Sequence, residues 1–182
     1  MNIKTVCSAF LLAASAMLAH AGPVTHVTLV ADSFGGQSAG ISKTHTTAGL
    51  FTDVYVLSGT SGFALLDGIL QTNGGPSTFD IDFLSASING ISFDFTKVNQ
   101  RAGAKLYIDF REVGVFAEHG LSSPFTLTIN GRAGEGLADG AAINATYSGT
   151  INVNAVPEPA SAALAALGLL AVGLVTRRRK AK

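Results

Sequence analysis

The stretch Phe79-Asp80-Ile81-Asp82-Phe83-Leu84-Ser85-Ala86-Ser87-Ile88-Asn89-Gly90-Ile91-Ser92-Phe93-Asp94-Phe95 decides the fold. Apolar and polar residues alternate on both sides of Asn89-Gly90, the period of half-buried strands. Asn-Gly supplies the two positive φ angles of a type I′ hairpin turn. Ile88 then pairs with Ile91. The same register sets Ala86 opposite Phe93, Leu84 opposite Phe95 and Asp82 opposite Lys97, an apolar set followed by an ion pair. The apolar phase switches from odd positions (79, 81, 83) to even ones (84, 86, 88). That switch requires either a bulge near Leu84 or a strand covered on both faces.

The period of two continues outward from this hairpin. Leu106, Ile108 and Phe110 alternate with Tyr107 and Asp109, and Phe125, Leu127 and Ile129 alternate with Thr126 and Thr128. Further candidate strands are Val24 to Val30, Leu50 to Ser58, Phe63 to Leu70, Val113 to Ala117 and Ile143 to Val153, with Gly, Asn, Ser and Pro between them. No convincing 3.6-residue stripe interrupts the pattern between residues 22 and 156. Roughly eight or nine short strands with Gly-rich turns predict an all-β domain, an antiparallel β-sandwich or jelly roll.

The two ends differ from this body. Residues 1–21 carry one Lys, an apolar run from Val6 to Leu18, and Ala19-His20-Ala21, with small residues where signal peptidase requires them. This is the pattern of a cleaved export signal, with Gly22 as the new N-terminus. Cys7, the one cysteine, leaves with it. At the other end, Ala160 to Val175 is sixteen uncharged residues followed by Thr176 and Arg177-Arg178-Arg179-Lys180. As a helix it covers about 24 Å, short of the roughly 30 Å hydrocarbon core, so it spans a membrane only marginally. The basic cluster stays cytoplasmic by the positive-inside bias, which agrees with an N-terminal export signal.

Val156-Pro157-Glu158-Pro159, a short Ala/Leu/Gly helix and a terminal Arg cluster together resemble the PEP-CTERM sorting signal. The resemblance covers residues 157–182 and implies recognition of Pro157, Glu158 and Pro159 by exosortase, a membrane-embedded transpeptidase. That enzyme removes the helix and its Arg177, Arg178 and Arg179 tail. It implies an inner-membrane intermediate in a Gram-negative bacterium, then passage to the cell surface or exopolysaccharide matrix. The two prolines restrict the backbone and bias their neighbours to extended conformations, which a protease cleft can grip. Phe51-Thr52-Asp53-Val54-Tyr55 resembles the motif of FxDxF-type PEP-CTERM proteins, with Tyr55 in place of the second Phe. Ile88-Asn89-Gly90, Phe125 to Asn130 and Tyr147 to Ile151 extend that resemblance over most of the body. It implies location and body type, and no reaction.

Residues 22–156 hold six Lys and Arg against eleven Asp and Glu, a formal charge of −5. The whole chain is neutral only because its tail is basic. Without a basic stripe a nucleic-acid partner is not expected. Without cysteine no disulfide staples the exported domain, and its 135 residues must supply a core of their own.

Phe51, Asp53 and Tyr55 share one face of a strand and Thr52, Val54 and Val56 the other. With the valines inward, an exposed aromatic and acidic row suits a polysaccharide. With the aromatics inward, Asp53 requires backbone or a buried hydroxyl as partner. The absence of Trp favours the inward arrangement. Asp80 and Asp82 also share a face, which suits a hydrolase or calcium site but equally a solvated strand. No D-x-D-x-D-G loop accompanies them. His26, His45 and His119 lack metal-ligand spacing and read as solvated loop residues. No G-x-S-x-G elbow or phosphate loop is present, and Asn144-Ala145-Thr146 reads as strand sequence rather than a glycosylation site. The expectation is a protein without enzymatic activity, cofactor or metal. Its partners are signal peptidase, exosortase and, by one alternative, exopolysaccharide.

Overall fold

The computed structural model describes residues 20–33, 35–72, 76–102, 106–156, 164 and 167–169. It is all-β, with twelve strands in order: β1 (His20–Ala21), β2 (Thr25–Thr28), β3 (Val30–Ala31), β4 (Gln37–Thr47), β5 (Gly49–Ser58), β6 (Phe63–Thr72), β7 (Ile81–Ile88), β8 (Ile91–Ser92), β9 (Asp94–Ala102), β10 (Leu106–Ser122), β11 (Phe125–Ala133) and β12 (Ala142–Ala155). They form two sheets. The first runs β1-β5-β11-β7-β8, with β2 also on β5; the second runs β3-β4-β12-β6-β10-β9.

One core lies between the sheets. Leu57, Ile81, Ile88, Phe125, Leu127 and Ile129 from the first meet Ile41, Leu66, Leu70, Phe116, Tyr147 and Ile151 from the second. Strict alternation makes this possible: β11 buries every second residue from Phe125 to Ala133. At inward-facing Gly149, a Cβ would collide with the Ile69 carbonyl and the Leu70 side chain. The close approach of β12 and β6 thus depends on glycine there.

The Asn-Gly hairpin forms with Ile88 opposite Ile91, and Asn89 and Gly90 both have positive φ, 48° and 86°. Asn89 also stitches this tip to the corner between β10 and β11. Its Nδ2 donates to the carbonyls of Ser122 and Pro124, and its Oδ1 accepts from Thr126 N at 2.8 Å. The phase switch is a bulge: β11 opposes Asn130 to Ser85 and Gly131 to Phe83, skipping Leu84. Leu84 is left 64% exposed.

Four expectations change. Phe93 N still bonds Ala86 O at 2.9 Å, but from Asp94 onward the chain crosses to the second sheet and pairs with β10. The predicted Leu84–Phe95 pairing is therefore absent from the ladder. The sheets are not wholly antiparallel, because β1 and β2 run parallel to β5 along one edge. Leu106 to Phe110 and Val113 to Ala117 belong to one 17-residue strand. His26, His45 and His119, expected in loops, lie on strands β2, β4 and β10, and β4 is not among the strands expected from the sequence.

Ala19, Pro157, Glu158, Pro159 and Arg177 to Arg179 lie outside the described residues, as does most of the predicted signal peptide and terminal helix. Leu164 and residues 167–169 are helical. Among the described residues no helix is long and apolar enough to cross a membrane.

Candidate functional site

The inner face of β4 begins as core, with Ala39 and Ile41, and continues as Lys43 and His45. Opposite them β5 turns Phe51, Asp53 and Tyr55 inward, at 7%, 2% and 3% exposure. The exposed aromatic row considered from the sequence therefore does not exist; the same residues form a buried polar centre.

Asp53 is its hub. Oδ1 is ion-paired with Lys43 Nζ. Oδ2 accepts from Tyr147 Oη at 2.7 Å and lies 3.0 Å from His45 Nε2. Tyr147 and Tyr55 are linked hydroxyl to hydroxyl at 2.7 Å. Because Tyr147 gives its single proton to Asp53, Tyr55 must be the donor to Tyr147. Burial raises the Asp53 carboxyl, but hydrogen bonds from His45, Lys43 and Tyr147 outweigh it and hold the pKa below the ordinary Asp value. Burial, the Tyr55 hydroxyl and the adjacent carboxylate push the Tyr147 phenol far above its usual range. Asp53 is thus a carboxylate and Tyr147 a neutral phenol. His45, expected in a solvated loop, is mostly buried, and its ring stacks on Phe51 with centroids 4.0 Å apart.

This centre opens into a pocket of about 220 Å³ lined by Gly22, Lys43, His45, Thr47, Phe51 and Asp53 among others. Its volume fits one sugar-sized group rather than a larger ligand. The lining holds a cation, a carboxylate and the stacked rings of His45 and Phe51. Asp53, held below its usual pKa, is poorly suited as a general acid at neutral pH.

A second polar cluster links β7, β9 and β10. Glu112, 1% exposed, accepts from Phe83 N at 2.6 Å and is ion-paired with Lys97, which also reaches Asp82 at 3.0 Å. The Asp82–Lys97 contact expected from the hairpin register thus forms, but between sheets. Burial raises the Glu112 carboxyl despite Lys97. Asp80 and Asp82 are buried rather than on a solvated face. With exposed Glu135 they bring carboxylate oxygens within 4.8 Å of one another, the one grouping among the described residues that could hold a cation. Glu135 was not singled out from sequence; its turn, between positive-φ Gly134 and Gly136, delivers it. His119 and His26 are exposed, and His119 Nδ1 contacts the Ala117 carbonyl.

Residues 155–180 match the PEP-CTERM protein-sorting motif. The chain therefore carries this sorting signal, and the signal implies an exported protein processed by exosortase in a Gram-negative bacterium. No curated protein matches the chain. Among solved structures, the chain is similar to the crystal structure of Aeromonas hydrophila PliG, a periplasmic lysozyme inhibitor of g-type lysozyme. The identity is 16%, the match covers 72% of this chain and 97% of that one, and the TM-score is 0.30. A superposition at that level carries no functional meaning for the present chain.

Proposed function

We propose that the protein is a non-enzymatic component of the cell surface or exopolysaccharide matrix, an FxDxF-type β body exported by signal peptidase and released from its membrane helix by exosortase. Its role is structural or adhesive. The observation that carries this reading is the sorting motif at residues 155–180, joined directly to the end of β12 at Ala155. Deleting Pro157 to Pro159 is expected to trap the protein in the membrane fraction. Undiminished release to the surface or medium would contradict the proposal.

A second reading is favoured by the pocket: the body binds a saccharide unit of the surrounding polymer. Asp53 offers a hydroxyl acceptor and Lys43 a donor within one small cavity, beside the stacked rings of His45 and Phe51. Binding to monosaccharide or oligosaccharide probes, lost in Lys43→Ala with the fold retained by circular dichroism, is the expected result. An extracellular hydrolase using Asp80 and Asp82 gains less support, because Lys97 already pairs with Asp82.

A further inference from the structure

Gly22 occupies two positions at once. In the sequence it is the first residue after the expected cleavage point Ala21. In the fold it lines the pocket: its N donates to Thr52 O at 3.0 Å. A Cβ on Gly22 would sit 3.3 Å from both Asp53 Oδ1 and Lys43 Nζ. Upstream, His20 and Ala21 pair in parallel with Phe51 and Thr52, along the edge of β5 that borders the same pocket.

We infer that export completes an anion-binding site: cleavage after Ala21 places the α-ammonium of Gly22 in the pocket wall, beside Lys43 and His45, where it receives a carboxylate-bearing saccharide. This rests on the saccharide-pocket reading above and adds the ligand's charge. Before the cut, Gly22 contributes one amide N–H, already given to Thr52, and Lys43 and Asp53 balance each other. After the cut the nitrogen has three donors and a positive charge near neutral pH, since an α-amino group titrates at about 8.

Asp53 brings one negative charge, already matched by that of Lys43. Its Oδ1 is held by Lys43, and its Oδ2 by Tyr147 and His45. The pocket therefore gains an excess cation with unused donors, and charge-assisted hydrogen bonds to a carboxylate are the strong way to satisfy them. Cleavage also removes the two residues that pair with Phe51 and Thr52, freeing the adjoining edge of β5. The cavity of about 220 Å³ accepts a single sugar acid.

The test uses the processed protein recovered from producing cells, its N-terminus read by mass spectrometry. Galacturonate and glucose are titrated calorimetrically into three samples. These are the native form, the same form acetylated at Gly22 at mildly acidic pH where lysines stay protonated, and Lys43→Gln. Galacturonate is expected to bind the native form about tenfold more tightly than either altered form and than glucose binds the native form. Equal binding of galacturonate and glucose would overturn the charge inference while leaving the saccharide pocket standing. Absence of binding by either sugar would overturn both. A mature chain starting elsewhere than Gly22, or unchanged affinity after acetylation, would overturn the role of the ammonium. Circular dichroism of each sample separates these outcomes from misfolding.

Discussion

Tyr55 of β5 and Tyr147 of β12 join the two sheets through a single hydroxyl pair, 2.7 Å apart, whose proton order is set by Asp53. Tyr147 sits in the middle of this relay, so its hydroxyl serves two neighbours while that of Tyr55 serves one. Tyr147→Phe strips a donor from a buried carboxylate and an acceptor from a buried phenol, and should cost about 2–3 kcal/mol. Tyr55→Phe should cost about 1 kcal/mol, because Asp53 keeps its donor. Urea denaturation of both variants checks the order; equal losses would contradict it.

Acid should weaken the fold through Asp53. Its folded pKa lies below the unfolded value despite burial, because His45, Lys43 and Tyr147 favour the charged form. The stabilisation is fully present above the unfolded pKa of about 4 and is lost as pH falls through the lower folded value. Asp53→Asn should flatten this acid limb in denaturation curves measured from pH 6 downward, a range of about three units. An unchanged slope would assign the acid sensitivity to other carboxylates.

Lys97 compensates Glu112 and Asp82 together. Lys97→Met should destabilise the protein at neutral pH by about 2–3 kcal/mol, since Glu112 is left buried without its cation. The pH dependence then has a definite sign. Glu112 is already raised above its ordinary value by burial. Losing Lys97 raises it further, so the variant should regain stability as pH is lowered from 7 towards 5. Thermal melts across that interval read the effect, and a flat profile would argue against it.

Asn89 is a turn residue with a second task. Asn89→Gly keeps the positive φ but loses the side-chain bonds to Ser122, Pro124 and Thr126. The expected cost is about 1–2 kcal/mol. Asn89→Ala adds backbone strain and should be worse. If the two variants match, the turn geometry contributes nothing beyond the hydrogen bonds.

Gly149→Ala should cost about 1–3 kcal/mol, because the new methyl meets the Ile69 carbonyl, part of a paired strand that cannot step aside. Gly136→Ala meets no neighbour. Its cost should be the smaller one of a side chain at positive φ, about 1 kcal/mol. Denaturation midpoints of the pair separate crowding from backbone strain.

The hairpin, its Ile88–Ile91 register and most strands were legible because each depends on local chemistry: Asn-Gly turns, alternation and glycine punctuation. The strand 37–47 was not. Its inward residues after Ile41 are Lys43 and His45, so the apolar period breaks where the polar centre begins. The features that hide this strand are those that form the pocket. Asp53 was recognisable as a carboxylate needing a buried hydroxyl, but nothing in the linear chain identifies Tyr147, 94 residues away, as the donor. Leu84 could be named as the point of phase change. Whether it bulged depended on the partner strand β11. Glu135 converges with Asp80 and Asp82 only because the turn after β11 folds back onto the start of β7, where Gly134 N bonds Asp80 O.

Strand β12 lies inside its sheet, paired with β4 on one side up to Val153 and with β6 on the other up to Ala155. The sorting motif starts at that same residue. Four residues, 156–159, separate the last paired position from the apolar run at Ala160, five Cα steps that reach at most about 18 Å when extended. On the processing proposed above, exosortase would work in a cramped gap between the β body and the lipid headgroups. Lengthening that leash, rather than altering the body, is the direct way to give the enzyme more room.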